Sequence, residues 1–256
     1  MSERQLHWSD FPKRKVLFIV PTQKKEKEKD GLLPVEDDLT EIVPPLDWQI
    51  EIRVDYENKT GLSTLYNKEI ADHSGYDWIV FIHDDIRIRD YSIYHRLEDA
   101  NRRGYDVVGV AGSKGFDIPN PTVPTGWWSP PNRAFGLAGF VSHNIDGKSC
   151  MTSYGPAPQR VLVVDGLFLA LSRHAIEEGL RFDEDFGFHE YDMSLCLRAW
   201  QMGLQTGVMP IYVEHSSPGT GFNSEAFLSA QMKLYEKYFM KQGGSGIIER
   251  GQKTND

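Results

Sequence analysis

Short runs of apolar residues, separated by polar and glycine-containing stretches, recur along the chain. Residues 15–22, 76–82 and 106–111 are continuous apolar runs rich in β-branched and aromatic side chains, which predicts buried strands. Residues 48–54 alternate apolar and polar positions, as a half-exposed strand does, whereas residues 62–73 place apolar side chains at helical spacing. Strands and helices that follow one another in this way predict an α/β fold.

The second half of the chain continues the same alternation. Further strands are predicted over residues 135–143, 160–164 and 208–213. Further helices are predicted over residues 97–103, 175–179, 192–202 and 224–240. The segment 112–129 is rich in glycine and proline and predicts neither a helix nor a long strand.

Composition limits the domain organisation and the partners. The 256 residues, with 40% hydrophobic and 12% aromatic content, are typical of a globular protein. We expect an extension over residues 1–14, one catalytic domain over residues 15–241 and a flexible tail over residues 242–256. A net charge of −9 disfavours a nucleic-acid partner, since duplex binding requires a basic face.

Cysteine content and hydropathy bear on the compartment. Cys150 and Cys196 lie in unrelated contexts, so we expect neither a disulfide framework nor a thiolate metal site. No apolar stretch approaches the roughly 20 residues that span a bilayer. We therefore expect a cytoplasmic protein, and peripheral attachment to the inner face of the membrane stays open.

Two adjacent carboxylates follow the apolar run 76–82. Asp84 and Asp85 come directly after His83 and are followed by a second short apolar stretch. Carboxylates at the end of a buried strand lie at a sheet edge where ligands commonly bind, and a divalent cation neutralises such a pair. The alternative is that both are turn residues, because aspartate favours turns.

Further polar residues interrupt or follow apolar runs in a particular order. Asp165 and Gly166 lie inside the run 161–171, residues 182–192 carry several acids, and His215 ends the run from 208. With His83-Asp84-Asp85, this order resembles the GT-A glycosyltransferases of the family 2 type. It resembles most the bacterial group whose Asp-x-Asp motif is written His-x-Asp. The resemblance covers about residues 15–240 and implies a GT-A fold, with a mixed, mostly parallel central sheet flanked by helices.

The resemblance implies a divalent metal site for Mn²⁺ or Mg²⁺. Asp85 matches the metal-binding Asp of the family, His83 replaces its first Asp, and His215 matches a histidine that completes the coordination. Whether His83 or Asp84 holds the ion or contacts ribose stays open. A lone histidine is otherwise a packed or surface residue, and residues 216–221 are expected to close over the diphosphate.

The resemblance also implies a general base. The family places a Glu-Asp pair before a helix that carries an Arg and, five residues later, a Gly. Arg198 and Gly203 have this spacing, which puts Asp192 on the Asp of the pair; Glu190 is the second choice. Such a base serves single displacement with inversion. The alternative for Asp192 is an acid in the first turn of a helix, which the helix dipole favours.

The remaining expected contacts concern donor and acceptor. The resemblance implies a nucleotide-sugar site, UDP-linked by expectation, formed by Val20, Pro21, Thr22, Asp55, Glu57, Asn67, His83, Asp84, Asp165 and Gly166. The residues expected to bind a glycan or lipid-linked acceptor are Trp127, Trp128 and His189. The alternatives are turn chemistry for Glu57, a buried structural acid for Asp165, and burial of the loop for the tryptophans, which we expect to be exposed.

Other function classes compete with glycosyl transfer. A sugar-phosphate nucleotidyltransferase needs a glycine-rich basic loop after the first strand, and residues 21–25 contain no glycine. A metallohydrolase would use one or two ions held among five side chains, namely His83, Asp85, His189, Asp192 and His215. The strand-helix-strand opening of the chain, typical of nucleotide binding, argues against it. A carbohydrate-binding module without activity is the alternative that is not an enzyme.

Overall fold

The computed structural model describes residues 13–25, 33–145, 147–216, 222–240 and 247–249. The strands are β1 (Arg14–Pro21), β2 (Trp48–Asp55), β3 (Trp78–Ile82), β4 (Ile86–Ile88), β5 (Val107–Gly109), β6 (Ala111–Ser113), β7 (Gly115–Asp117), β8 (Leu137–Ile145), β9 (Lys148–Gly155), β10 (Gln159–Val161), β11 (Val163–Val164), β12 (Phe168–Ser172), β13 (Thr206–Val208), β14 (Val213–His215) and β15 (Ile247–Glu249). The helices are α1 (Pro34–Glu41), α2 (Leu62–Asp72), α3 (Ile93–Arg102), α4 (Pro130–Arg133), α5 (Arg173–Glu177), α6 (Tyr191–Gln201) and α7 (Glu225–Leu234). A π-helical turn, Tyr235–Phe239, continues α7.

The larger sheet has the strand order β10-β13-β5-β12-β3-β1-β2. β1 pairs in parallel with β2 and β3, and β13 pairs in parallel with β5. The other three pairings, which join β12 to β3 and β5 and β10 to β13, are antiparallel. The sheet is therefore mixed, as predicted, but not mostly parallel. The apolar pattern of β12 does not indicate whether that strand runs parallel or antiparallel to its neighbours.

The central strands of this sheet form the middle of the core. No residue of β3 or β12 is more than 4% exposed, and residues 16–20 of β1 are equally buried. Strands covered on both faces read as continuous apolar runs, which is why the sequence revealed them. β3 leads directly into His83 at the edge of the sheet.

A second sheet brings a distant strand to the same edge. Its order is β11-β6-β8-β14-β4, with β9 paired to β8. β14 runs antiparallel to β4, so that His215 lies opposite Ile86, the residue after Asp85. This pairing joins the ends of two strands that are far apart in sequence.

Helix α1, which the local pattern did not predict, packs against β4 at this edge of the second sheet. The carboxylate of Asp38 is buried and accepts hydrogen bonds from Arg87 Nε (2.8 Å) and from the backbone N–H of Ile88 (2.9 Å). Both donors belong to β4, so α1 is tied to the strand that follows the Asp84-Asp85 turn.

Several predicted elements differ in their bounds. The predicted strand over 208–213 is divided between β13 and β14, because Pro210 has no N–H to give to a sheet. The predicted strand over 160–164 is likewise divided into β10 and β11. The predicted helix over 224–240 changes from α7 to the π-helical turn at Tyr235.

The tail predicted to be flexible contains a strand, since β15 pairs with β7 in antiparallel fashion. The rest of the predicted tail lies outside the described residues, as do most of the predicted extension and residues 217–221 of the predicted closing loop. Among the described residues, no helix has the length and apolar character needed to cross a bilayer.

Candidate active site

Three of the predicted site residues meet where β3 and β14 end. His83, Asp85 and His215 each offer one ligand atom, and these atoms lie within 4.8 Å of one another. His215 Nε2 is 3.3 Å from Asp85 Oδ2. The backbone N–H of Ser216 also donates to the Asp85 carbonyl (2.9 Å), which fixes the two chain segments against each other. The structure therefore brings the predicted metal ligands together.

Burial and mutual attraction shift the pKa of all three side chains in this cluster. Burial opposes charge on both Asp85 and His215, but their mutual hydrogen bond and attraction outweigh it, lowering the pKa of Asp85 and raising that of His215. Burial lowers the pKa of His83, against the charges of Asp85 and Asp165. Ligand atoms must be deprotonated to bind a metal, so a cation at this place would compete with protons for the two histidines.

The donor set fits a divalent ion. Asp85 Oδ1 is a buried oxygen without a hydrogen-bond partner in the described part of the chain, and such an atom normally has one. A carboxylate oxygen together with two imidazole nitrogens suits a transition ion such as Mn²⁺ better than Mg²⁺, which prefers oxygen ligands. The cluster thus has both an unsatisfied ligand atom and a suitable chemistry.

Replacing His215 by Ala should weaken Mn²⁺ binding by less than the loss of Asp85 does. The substitution removes a neutral ligand and leaves the charged one in place. Calorimetric titration with Mn²⁺ and turnover at graded Mn²⁺ measure the effect. A metal dependence identical to that of the wild type would make His215 a structural residue.

Asp84 turns away from this cluster towards the end of β1. Its Oδ2 accepts a hydrogen bond from Thr22 Oγ1 (2.6 Å), and Lys24 Nζ lies 3.6 Å from the same oxygen. Asp84 therefore belongs to a neighbouring cavity of about 700 Å³, a volume within the usual range for small-molecule sites. We call this cavity the donor compartment, after the ligand expected there from the sequence. Its lining is Pro21, Thr22, Gln23, Lys24, Asn58, Lys59, Thr60, Gly61, Leu62, His83, Asp84, Asp85, Gly187 and Phe188.

Several residues expected to bind the nucleotide do not line the donor compartment. Val20 is fully buried in the core, because it precedes the last residue of β1. The carbonyl of Asp55 accepts from the Thr22 N–H, and the Glu57 N–H donates to the Lys24 carbonyl, so both support the wall by their backbones. Their side chains are absent from the lining formed by the described residues.

Asn67 has a structural role in the described structure. Its Oδ1 accepts from the Phe182 N–H (2.8 Å), and its Nδ2 donates to the Phe182 carbonyl (3.0 Å) and to Glu184 Oε1 (2.9 Å). These bonds tie α2 to the segment that precedes α6. The structure does not bring Asn67 to the donor compartment, although its position in the sequence predicted that.

A second cavity adjoins the first and shares His83 and Phe188 with it. We call it the acceptor compartment, after the residues in its lining that are expected from the sequence to bind an acceptor. Its volume is about 250 Å³, and its lining is His83, Thr125, Gly126, Trp127, Trp128, Asp165, Gly166, Phe188, His189, Glu190, Tyr191, Asp192, Met193, Phe222 and Phe227. Asp165, Gly166 and all three predicted acceptor residues are among them. His189 and Asp192 are not part of the metal cluster, contrary to the ligand set of a metallohydrolase.

The two tryptophans are less exposed than expected. Trp127 is 2% exposed, and its Nε1 donates to Asp165 Oδ2 (2.9 Å), whereas Trp128 is half-buried. Trp127 lies edge-on to Tyr154, and Trp128 lies beside Phe222. The tandem tryptophans are therefore both packing residues and lining of the acceptor compartment.

Asp192 lies in the first turn of α6 with both carboxylate oxygens engaged. Oδ2 accepts from the Gly166 N–H (2.8 Å) and Oδ1 from the Met193 N–H (2.9 Å). Burial and the charge of Asp165 raise the pKa of Asp192 to about 7, although these two N–H groups act against the rise. A carboxylate with a pKa near neutrality, lining a cavity, has the properties of a general base.

Glu190, the second choice for the base, has a different environment. It is 5% exposed, and its backbone is left-handed (φ 62°), a conformation that is costly for a residue with a side chain. Burial and the neighbouring Asp192 raise the pKa of Glu190 well above its ordinary value. This environment favours the neutral form of Glu190, in which a carboxyl group donates a hydrogen bond and does not take up a proton.

Gly166 is required by the close approach of α6. A Cβ at this position would lie 2.2 Å from the Tyr191 hydroxyl and 3.1 Å from Asp192 Cβ. We expect Gly166→Ala to displace both side chains, with a destabilisation of about 1–3 kcal/mol typical of overpacking and a marked loss of turnover. Melting temperature and turnover test this, with Gly75→Ala as control, since a Cβ there meets nothing within 4 Å. Equal turnover in the two variants would contradict it.

Some lining residues were not predicted from the sequence. They include Tyr191, which directly precedes Asp192, and the three phenylalanines Phe188, Phe222 and Phe227. A phenylalanine in a core and one in a cavity wall have the same local pattern, so no sequence signal separates them. Phe188 differs from the other two phenylalanines because it is exposed, with 63% of its surface accessible to solvent.

Comparison with known proteins assigns the class. Residues 18–241 match the model of a family described as a glycosyltransferase-like family, and the chain belongs to it. Its mixed α/β architecture is the GT-A-like fold that the resemblance implied.

Individual similar proteins are distant. A protein of Fuscovulum blasticum called ATP synthase subunits region ORF 6 is 25% identical over 167 residues, which are 63% of this chain and 59% of that protein. The chain thus spans well under two thirds of that relative's length. The crystal structure of A197 from STIV has 15% identity and a TM-score of 0.44, covering 77% of this chain and 82% of that one. The mannosyltransferase PcManGT from Pyrobaculum calidifontis, in complex with GDP-Man and Mn²⁺, has 12% identity and a TM-score of 0.47, covering 84% and 63%.

Proposed function

We propose that this protein is a metal-dependent, inverting glycosyltransferase that moves a sugar from a nucleotide-diphosphate sugar to a hydroxyl group. One observation carries the proposal. His83 lines both compartments, Asp85 of the same ligand cluster lines the donor compartment, and Asp192 lines the acceptor compartment. Two reactants can therefore meet there, one beside a cation and the other beside a base.

The donor compartment provides for a diphosphate and its nucleoside. His83, Asp85 and His215 would hold the divalent ion, and the bound ion supplies Lewis-acid stabilisation of the charge that grows on the leaving diphosphate. Lys24 lies beside Asp84 in the lining and adds a positive charge to the donor compartment. Thr22 and Asn58, at the ends of β1 and β2, offer polar groups to the ribose and the base, for which a UDP-linked donor remains our expectation.

The acceptor hydroxyl would be activated by Asp192. A sugar hydroxyl is a weak acid, so its proton must leave as its oxygen bonds to the anomeric carbon. The N–H groups of Gly166 and Met193 hold the Asp192 carboxylate in one orientation, ready to accept that proton. Attack from this side, opposite the diphosphate, inverts the anomeric configuration.

The lining of the acceptor compartment favours a neutral saccharide. Rings of Trp128, Phe222 and Phe227 follow one another at centroid distances of 5.0 and 4.8 Å, a surface on which the apolar face of a sugar can stack. Asp165, Glu190 and Asp192 are acidic, and no Lys or Arg is found in the lining among the described residues. An anionic acceptor would meet repulsion there.

A thermal-shift panel of UDP- and GDP-sugars, with and without Mn²⁺, tests the proposal, because a ligand that binds the native state raises the melting temperature. We expect stabilisation that needs both the nucleotide sugar and the ion. Stabilisation by free saccharides, with none by any nucleotide sugar, would favour the carbohydrate-binding alternative. NMR of the product's anomeric configuration tests inversion, and retention would exclude single displacement.

A further inference from the structure

The hydroxyl of Tyr191 lies between the two halves of the site. Tyr191 is the first residue of α6 and is 4% exposed. Its hydroxyl is 3.0 Å from the carbonyl oxygen of Gly166 and 2.8 Å from His83 Nε2. Both distances are those of hydrogen bonds, so the hydroxyl joins the strand end of His83 to the loop that precedes β12.

The protons of these two bonds can be assigned. A carbonyl oxygen only accepts, so the single hydroxyl proton of Tyr191 is donated to Gly166. The tyrosine oxygen must then accept from His83, which requires a proton on Nε2. In the neutral imidazole of His83, Nδ1 consequently has the free lone pair.

We infer that Tyr191 is a positioning residue that fixes His83 in the Nε2–H tautomer and thereby presents Nδ1 to the cation. The inference rests on the proposed function, since it concerns the same metal cluster. A metal-ligating histidine generally donates its other N–H to a fixed acceptor, and loss of that acceptor costs about 10–100-fold in metal affinity. Tyr191 supplies such an acceptor from α6.

The same contacts couple the cation cluster to the base. The residue whose carbonyl accepts from Tyr191, Gly166, donates its N–H to Asp192 Oδ2 (2.8 Å). His83, Tyr191, Gly166 and Asp192 thus form one hydrogen-bonded series across the wall between the compartments. The hydroxyl of Tyr191 sets the relative position of the metal ligand and the carboxylate.

The ring of Tyr191 does not depend on its hydroxyl for packing. It lies 5.9 Å from the Tyr66 ring and 6.2 Å from the Phe182 ring, in an aromatic layer beneath the site. Tyr191→Phe therefore removes one oxygen and keeps the packing. Tyr66→Phe is the matched control, because the Tyr66 hydroxyl is equally buried, belongs to the same layer and has no hydrogen-bond partner among the described residues.

The experiment has two readouts on the full-length chain. The first is ¹⁵N NMR of the histidine side chains in metal-free protein, with the His83 signals assigned from a His83→Gln variant. The second is calorimetric titration with Mn²⁺ alone. We expect the wild type and Tyr66→Phe to show the Nε2–H form of His83 and equal Mn²⁺ affinity. Tyr191→Phe should show a mixture of tautomers and an affinity lower by about 10–100-fold.

Two results would overturn the inference. One is an unchanged His83 tautomer in Tyr191→Phe; the other is an equal loss of Mn²⁺ affinity in Tyr66→Phe, which would indicate a general effect of packing. If the wild type binds no Mn²⁺, the proposed metal-dependent function fails, while the tautomer in metal-free protein still decides the role of Tyr191. The two failures are thereby distinguishable.

Discussion

Asp192→Asn should remove glycosyl transfer and leave donor binding unchanged. The amide has the shape of the carboxylate, but it cannot take the proton of the acceptor hydroxyl. Loss of a general base typically lowers the rate by about 10²–10⁴-fold, and more where the amide turns away from the Gly166 N–H. Turnover and the calorimetric affinity for a nucleotide sugar, measured on the same preparation, separate the two effects.

Glu190→Gln is the matched control, because Glu190 lies two residues away in the same cavity wall and burial raises its pKa, which favours its neutral form. A glutamine reproduces a hydrogen-bond donor of that size, so its effect should be mild. An active Asp192→Asn beside an inactive Glu190→Gln would transfer the role of base to Glu190.

The pH profile gives an independent check on the same residue. With the pKa of Asp192 raised to about 7, the base is mostly protonated below that pH and mostly ionised above it. The transfer rate should therefore rise as the pH increases through 7 and level off beyond. In Asp192→Asn this limb should disappear; its persistence would assign the ionisation to another group.

Asp85→Ala should abolish Mn²⁺-dependent binding of a nucleotide sugar while the protein stays folded. The substitution removes the charged ligand from a turn outside the core, including Oδ1, which has no hydrogen-bond partner among the described residues. We expect the loss in Mn²⁺ affinity to exceed the roughly 10–100-fold that follows when only a supporting residue is changed. Titration with Mn²⁺, and with UDP in its presence, measures both.

The neighbouring Asp84→Asn tests whether the effect is specific to Asp85. Asp84 carries the same charge one residue away, but its carboxylate accepts from Thr22 and faces Lys24. Its loss should leave the affinity for Mn²⁺ alone unchanged. Equal losses in the two variants would mean that the pair acts through its summed charge, and an unchanged Asp85→Ala would remove Asp85 from the metal site.

The sequence predicted most reliably what depends on local pattern. β3 and the acidic turn after it were recognisable because a strand buried on both faces is apolar throughout, and because acids directly after it are unusual. Helix α6 was recognisable by its amphipathic spacing and by Gly203, and the structure ends it at Gln201. Each of these features depends only on residues that are close together in the sequence.

What the sequence did not predict depends on pairing between distant segments. The amide of Asn67 looked available for a ligand until the segment at Phe182 was placed against it. Trp127 is buried where its Nε1 donates to Asp165, a residue of the connection between β11 and β12. The hydroxyl of Tyr191 makes its hydrogen bonds only because α6 packs closely against Gly166. A glycine permits such a close approach, but its presence in the sequence does not indicate which segment packs against it.

The attachment of α1 to β4 affects the thermodynamics of ion capture. Asp38 holds Arg87 and Ile88, so the Asp84-Asp85 turn is anchored by β4 on one side and by the buried β3 on the other. Its ligands are thus held in place by the folded chain, before an ion arrives. Little conformational entropy is then lost on association, and the heat and affinity of binding reflect the exchange of hydration water for protein ligands.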